Sequence, residues 1–486
     1  MAEPPGLSDV ERRLWHAFPT GAPVVLGDDL PAGPDPERIV RAEIIAQLLL
    51  GAGESPPGRV PAVHLRGAYI VGALSVRGGT VGHELRLEFC RLVEQPDFSN
   101  AETRQMRMSD CRMPGFDGGG LRVDGFLSLS RSLIEGEVRL TRAQVLGGLR
   151  LNAATIVAPD PGSWAIYSGG TVVEVGCFIQ EADITGGVRL VGARMNGGLF
   201  MQGTTLRNPG RNALDAQNMI VEDAAEFSRG FTAIGTVRLR SARVNGILSF
   251  HDARLDSGDP TRMALHASHL HTDELLLYVA EKIKGRVSLA YSRIAVLRDT
   301  PEFWPDELYL NGLTYETLSD DTAFRKRLDW VGRDPRFHLQ PYEQLAAYYH
   351  AAGHDDQARK VQLAKQRARR RKLRPVGKAW NYLLDWTVGF GYRPWLAFAW
   401  FGALVAFGTT VFSLNKPRPV KPPDERPVFH AFVYTLDLLI PIDTFGQQQA
   451  FDPSGWSRWV AYGLVATGWV LATALIAGVT RVLRPN

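Results

Sequence analysis

The chain has 486 residues, of which 22% are charged, and its formal net charge is +4. This length exceeds what one compact core usually holds, so the sequence predicts several structural units. The small net charge excludes a protein whose whole surface is acidic or basic. The polar, acidic residues 1–13 predict no signal peptide. Three widely spaced cysteines fit no metal-binding motif and indicate buried thiols in a reducing compartment, namely Cys90, Cys111 and Cys177.

Residues 1–60 are predicted to form an N-terminal helical cap. One helix is expected at about residues 8–18 and a second at about residues 36–50. In the second, Val40, Ile44 and Leu48 recur every four residues, and Gly51 ends the pattern. The cap would cover the unpaired strand edges at the start of the repeat region that follows.

Residues 61–300 contain a short phrase that returns every eleven residues, Gly-x-Val/Leu-x-Leu-x-x-Ala-x-Ile/Val. It begins at Gly125, again at Gly136 and again at Gly147. A fixed internal period predicts a solenoid of stacked coils, and the i, i+2 apolar pairs predict strands and not helices. Two phrases give one four-sided coil of about 22 residues, and the region has room for on the order of ten coils.

Each side of a coil is predicted to turn an aliphatic side chain inward, and the residue between the two members of an apolar pair is predicted to point outward. Leu140 and Val145 are therefore expected inside, and Arg139 outside. The phrase glycines are expected at corners with positive φ. Residues 95–120 and 158–169 lack the phrase and are predicted to be insertions. Phe200, an outward position, is the exception that this scheme does not explain.

These features resemble the pentapeptide-repeat class of right-handed β-helices, in a loosened form with eleven-residue double steps. The resemblance covers nearly half the chain. It implies a mainly β fold, a right-handed quadrilateral β-solenoid with helical caps. It specifies function poorly, because proteins of this fold serve as scaffolds, spacers and DNA mimics. The outward arginines argue against DNA mimicry.

An irregular closing segment is predicted at residues 301–336 and a helical hairpin at residues 337–378. Gly353 separates the two helices of the hairpin. Between Arg359 and Lys378 there are ten Lys/Arg residues and no acidic residue. This basic run is predicted to bind anionic lipid headgroups and not nucleic acid, because few aromatic residues interleave with it. The candidate headgroup-binding residues are Arg367, Arg369, Arg370, Arg371, Lys372 and Arg374.

Residues 379–486 are predicted to be a membrane segment. Residues 394–415 and 459–480 are two uncharged, mostly apolar runs of 22 residues each, long enough to cross a bilayer. Tryptophans lie near the ends of the runs, where aromatic belts form. The basic residues that flank the runs place both chain termini in the cytoplasm.

Between the two runs, residues 428–442 predict a short re-entrant or interfacial helix, too short to span the bilayer. The order of span, short helix, turn and span resembles two-span pore-loop ion channels, although the potassium-filter sequence Thr-Val-Gly-Tyr-Gly is absent. A pore would need several copies of the chain around one axis. The pore-region candidates are Asp437, Asp443, Thr444, Phe445 and Gly446.

Motifs of catalysis and cofactor binding are missing from the sequence. There is no Gly-x-Gly-x-x-Gly and no P-loop, and neither a cofactor nor catalytic residues are predicted. His266, His269 and His271 are expected on different faces of a coil, not around a metal. The opening Leu14–Pro19, the solenoid and the two spans together resemble proteins catalogued as membrane-associated oxidoreductases.

Three functions therefore remain open. The first is a cytoplasmic solenoid scaffold that is anchored in the cell membrane and binds an unidentified protein partner. The second is an oligomeric pore-loop ion channel with a solenoid sensor. The third is the oxidoreductase activity that the last resemblance implies. We expect the first.

Overall fold

A computed structural model describes residues 4–52, 58–319, 322–370, 382, 394–422, 425, 427–440 and 445–483. The chain forms two compact units, Met1–Gln344 and Leu345–Asn486. We call the first the solenoid unit and the second the helical unit.

The solenoid unit is a parallel β-solenoid of about 12 turns. Val123 pairs with Val145 and Leu127 with Leu149, so equivalent positions recur after 22 residues, two phrases per coil. The predicted parallel solenoid and its coil length are confirmed. The handedness stays a prediction.

The coils between Glu102 and Arg189 contribute four short strands each. Strands of successive coils lie on one another, which produces four stacks. Stack 1 contains Thr80–Val81, Glu102–Thr103, Arg122–Val123, Gln144–Val145, Val172–Val173, Arg194–Met195 and Ile220–Val221. Stack 2 contains Val24–Val25, Ala62–Arg66, Glu84–Glu88, Met106–Ser109, Leu127–Ser128, Gly148–Arg150, Gly176–Phe178, Leu199–Phe200 and Ala225–Glu226.

The other two stacks are built in the same way. Stack 3 contains Ile39–Arg41, Tyr69–Val71, Arg91–Leu92, Arg112–Met113, Leu133–Ile134, Thr155–Val157, Asp183–Thr185 and Arg254–Asp256. Stack 4 contains Phe116–Asp117, Val138–Arg139, Trp164–Tyr167, Gly187–Arg189, Met263–His266, Arg286–Ser288 and Leu308–Tyr309. Two longer strands join stacks 3 and 4, Thr205–Asp215 and Thr232–Arg238. Four join stacks 1 and 2, Arg243–Ser249, His271–Leu277, Arg293–Asp299 and Thr314–Leu318.

The interior of the coils is filled by aliphatic side chains at the predicted positions. Leu140, Val145, Leu151 and Ile156 are fully buried. Burying each such side chain stabilises the fold by roughly 1.5–3 kcal/mol before the entropy of ordering the chain is subtracted. The outward residue Arg139 is exposed, as the alternation along a strand requires.

The prediction that the phrase glycines have positive φ holds for Gly72, Gly186, Gly235 and Gly285 but not for Gly125, Gly136, Gly147, Gly197 and Gly246. Arg131, Arg142 and Ala153 hold left-handed φ angles of 57°, 57° and 52°, eleven residues apart. Gly136 and Gly147 instead lie where a Cβ would overlap the backbone of the preceding coil. In these phrases, glycine therefore permits close stacking of coils, and the turns at the corners tolerate residues with side chains.

Of the two predicted insertions, one is wrong. Residues 95–120 form a regular coil with strands in all four stacks, because Met106, Met108 and Phe116 fill the interior in place of leucine and valine. Residues 158–163 do form an extra turn between Thr155–Val157 and Trp164–Tyr167.

The N-terminal segment combines helices with the first strands of the stacks. Helix α1, Asp9–Ala17, is capped by Ser8, and a 3₁₀ turn, Phe18–Thr20, follows it. Helix α2, Ala42–Gln47, begins later than predicted because Ile39–Arg41 pairs with Tyr69–Val71. A π-helical turn, Leu48–Ala52, ends it. The apolar face that predicted a helix is buried.

Glu11 links α1 to this first strand. Burial alone would raise its pKa, but hydrogen bonds from the Arg41 guanidinium and from the Ser8 and Arg41 backbone N–H groups lower it to about 2. The carboxylate therefore contributes about 3 kcal/mol of stability that is complete above pH ~5 and is lost as the pH falls through ~4.5 toward 2.

We expect the protection of the first coils against hydrogen exchange, relative to an unfolded chain at the same pH, to decrease progressively below pH ~4.5. Glu11→Gln should flatten this pH dependence, whereas Glu43→Gln, on an exposed face of α2, should leave it unchanged. An unaltered acid profile in Glu11→Gln would show that Glu11 does not carry it.

The last coils are closed by a helix. A 3₁₀ turn, Pro301–Phe303, is followed by Leu308–Tyr309, which continues stack 4, and by Thr314–Leu318, which continues stacks 1 and 2. The solenoid therefore extends beyond residue 300, where it was predicted to end. Helix α3, Phe324–Gly332, follows. Its Arg327 makes two hydrogen bonds, of 2.8 and 3.0 Å, to the buried carboxylate of Asp299.

The helical unit begins within α4, Gln340–Ala351, and continues with α5, Asp355–Arg369. Gly353 separates them with a φ of 77°, at the predicted position. The described residues after α5 include helices α6, Pro394–Leu414; α7, Ala431–Leu439; α8, Gln447–Ala450; and α9, Trp456–Leu483. Arg418–Pro419 pairs antiparallel with Phe451–Asp452.

Helices α6, α7 and α9 pack around a shared apolar core that includes Phe412, Tyr434 and Leu464. Within the described ranges, none of the helices is both long enough and apolar enough to cross a bilayer.

Candidate functional site

The predicted pore region contains one carboxylate whose contacts are defined. Asp437 on α7 is fully buried, and its carboxylate accepts hydrogen bonds from the backbone N–H groups of Phe445 (3.1 Å) and Gln448 (2.9 Å). Gly446 has a φ of 67°, and Phe445 is exposed. Asp443 and Thr444 lie outside the described residues. Asp437 thus connects α7 to the start of α8 and satisfies backbone groups there.

The basic run is described only in part. Arg367 and Arg369 are exposed at the end of α5. The Arg370 guanidinium lies 4.4 Å from the centre of the Tyr382 ring, a cation–π contact. Arg371, Lys372 and Arg374 lie outside the described residues. The described part therefore presents at least two guanidinium groups to the surroundings.

The helical unit encloses several polar side chains beside its apolar core and exposes large apolar side chains on its surface. Asp437, Thr435, Gln447 and Ser457 are buried. The Gln447 amide donates to the Val428 carbonyl (2.8 Å), and the Thr435 hydroxyl donates to the Ala431 carbonyl (2.8 Å). The exposed side chains of α6, α7 and α9 include large apolar groups: Phe398, Phe407, Leu414, Phe432, Trp459, Tyr462, Trp469 and Val470.

The outer surface of the solenoid carries several ladders of paired side chains. Arg112 binds Glu135 with two hydrogen bonds of 2.8 Å, and Arg131 binds Asp110 in the same bidentate way. Phe200 stacks on Phe178 of the preceding coil, with ring centres 5.2 Å apart, which explains the aromatic residue at an outward position. These contacts join successive coils and stabilise the stack.

The three neighbouring histidines lie apart, as predicted. His266 is in stack 4 and His271 in stack 1, and His269 is at the corner between them with a φ of 58°. The described residues contain no cluster of three or more His, Cys, Asp or Glu side chains that would hold a metal ion.

A cavity of about 370 Å³ opens on stack 1 near the end of the solenoid. Its lining includes Arg243, His271, Arg293, Asp273 and Glu316. This site is not apparent in the sequence. An extra turn between Arg254–Asp256 and Met263–His266 lengthens one coil, so the basic residues do not recur at the usual spacing. The pairing of Arg243 with His271 and of His271 with Arg293 is the signal that reveals it.

Comparison of this chain with protein families, with curated proteins and with solved structures finds no match.

Proposed function

We propose that this protein is a scaffold whose helical unit is embedded in a membrane and whose solenoid presents a rigid polar surface to a protein partner. The observation that carries the proposal is the exposure of large phenylalanine and tryptophan side chains on the helical unit, around a core that also holds the buried polar groups of Asp437 and Gln447.

In water, this arrangement is unfavourable. Large exposed apolar patches mark contact with lipid or with another protein, and leaving a side chain of this size in water forgoes roughly 1.5–3 kcal/mol. In a bilayer the same side chains face hydrocarbon. Buried polar groups then need partners inside the protein, as the Asp437 carboxylate, the Thr435 hydroxyl and the Gln447 amide N–H have.

Sequence and charge supply the orientation in this proposal. The proposed spans are the uncharged runs at residues 394–415 and 459–480, which overlap α6 and α9. Among the described residues neither helix meets the length and apolarity of a span, so this assignment rests on the two runs of sequence. Arg367 and Arg369 precede the first run, so the positive-inside rule favours a cytoplasmic solenoid. Each such charge near anionic headgroups contributes about 1 kcal/mol.

The other two functions have weaker support. A pore would require Asp437 to face an ion path, but its carboxylate accepts backbone hydrogen bonds within the fold. The oxidoreductase resemblance has no nucleotide-binding motif behind it. We therefore propose neither function.

Cysteine labelling tests the proposed topology in the full-length protein. Glu102→Cys lies on the solenoid and Lys421→Cys between the two runs, and both positions are exposed. Burial keeps the native thiols unreactive, and it raises the pKa of Cys177 to about 12. A membrane-impermeant maleimide added to intact cells should label Lys421→Cys only.

Permeabilised cells provide the control, because both positions should then react. Labelling of Glu102→Cys in intact cells, or failure of Lys421→Cys to react there, would contradict the topology.

A further inference from the structure

We infer that the cavity on stack 1 binds a small soluble zwitterion. Its anionic group is held by Arg243, His271 and Arg293, and its ammonium group by Asp273 and Glu316.

The cationic side of the cavity is a row of three residues on consecutive coils. Arg243 pairs with His271, and His271 with Arg293. Consecutive coils are about 4.8 Å apart, so the two arginines flank His271 at about 5 Å on either side. Their long side chains can converge on one carboxylate or phosphate above the imidazole, where a guanidinium forms charge-assisted hydrogen bonds.

The acidic side is the neighbouring row, two residues further along each strand and on the same face. It contains Asp273, Ala295 and Glu316 on consecutive coils. Two residues along a strand correspond to about 7 Å. Because alanine is small, the middle of this row is a notch with one carboxylate on each side, which suits an ammonium group.

The charges of both rows are uncompensated. Across the part of the chain that the structure describes, the side chains of Arg243, Arg293, Asp273 and Glu316 have no hydrogen-bond or ion-pair partner. Other charged groups on stacks 1 and 2 are paired, for example Arg298 with Glu274 at 2.6 Å. Unpaired groups of both signs around one cavity indicate a ligand that carries both signs.

The two rows also select against simpler ligands. An inorganic anion at the arginines is repelled by Asp273 and Glu316, and a simple cation at the carboxylates is repelled by Arg293. A zwitterion satisfies both rows at once. The cavity volume of about 370 Å³ is within the usual range for small-molecule sites.

The pKa of the His271 imidazole should change when a ligand binds in the cavity. Burial lowers the pKa of its imidazole, and the charges of Arg293, Arg243 and His269 lower it further. Asp273 and Glu316 are the acidic groups that line the same cavity. An anion bound above the ring would favour the protonated imidazole, so ligand binding should raise the pKa of His271.

The test uses the full-length protein in detergent with three probes: phosphorylethanolamine, inorganic phosphate and ethanolamine. Calorimetry should show that phosphorylethanolamine binds at least 10-fold more tightly than either of its halves. Arg293→Gln and Asp273→Asn should each weaken this binding at least 10-fold. The His271 pKa, followed by NMR, should rise when phosphorylethanolamine is added.

Arg194→Gln is the matched control. Arg194 is an exposed arginine of the same stack, but its neighbours on adjacent coils are Val172 and Ile220. This substitution should leave binding unchanged. Equal affinities for phosphate and phosphorylethanolamine, unchanged binding in Asp273→Asn, or no binding of any probe would overturn the inference.

Discussion

Replacing Arg327 with alanine is expected to destabilise the last coils of the solenoid by about 3–5 kcal/mol, the usual cost of breaking a buried ion pair. The substitution leaves the Asp299 carboxylate, which is fully buried, without its main counter-charge. The same carboxylate accepts a hydrogen bond of 2.6 Å from the Trp304 indole, so the closing segment is also affected. Because a solenoid unfolds coil by coil, hydrogen exchange of Arg293–Asp299 and Thr314–Leu318 is the appropriate measurement.

Arg298→Ala is the control for this experiment. Arg298 lies on the same strand as Asp299 and forms an ion pair with Glu274 at 2.6 Å. The Arg298 side chain is 55% exposed. A solvent-exposed ion pair contributes about 0–1 kcal/mol. If both substitutions accelerated exchange equally, the buried pair would not be what closes the solenoid.

Gly197→Ala is expected to destabilise the coils around it by about 3 kcal/mol or more, at the upper end of what overpacking costs. A Cβ at this position would overlap the carbonyl oxygen of Val175 in the preceding coil. Hydrogen bonds between the coils fix the backbone on both sides of Gly197, so this overlap can be relieved only if the two coils separate. Hydrogen exchange of Gly176–Phe178 and Leu199–Phe200 should increase strongly.

Gly82→Ala is the matched substitution for Gly197. Gly82 has no heavy atom within 4 Å of a built Cβ, and alanine there should be tolerated. Similar exchange rates in the two variants would show that close coil stacking does not require the phrase glycines.

The period of the sequence was sufficient to predict the stacked coils, because inward side chains must recur wherever a coil is repeated. It failed where the interior is filled by other residue types. At residues 95–120 methionine, cysteine and phenylalanine occupy the inward positions, and Asn100 and Asp110 hold the left-handed corners. The backbone of residues 95–120 therefore keeps the repeat of the coils, although the sequence phrase is absent.

The start of α2 shows a second limit. Val40, Ile44 and Leu48 are all buried, as an amphipathic helix predicts. Val40, however, lies in a strand that pairs with Ile70. Local apolar spacing cannot reveal a pairing partner thirty residues away in the sequence, so the helix was predicted too long.

The charged cavity was missed for a related reason. In the sequence, His271 stands beside His266 and His269, which lie on other faces of the coil and give no sign of its neighbours in the fold. In the fold, its neighbours are Arg243 and Arg293, which are one coil away on either side. These neighbours follow from the register between the strands after the extra turn, and only the paired strands of the fold provide that register.

The membrane proposal is tested most directly by extracting cell membranes that contain the full-length protein with alkaline carbonate. A protein whose helical unit is embedded in lipid through its exposed phenylalanine and tryptophan side chains is predicted to stay in the membrane pellet and to be released only by detergent. Recovery of the full-length protein in the carbonate supernatant, or in the soluble fraction before extraction, would contradict the proposal.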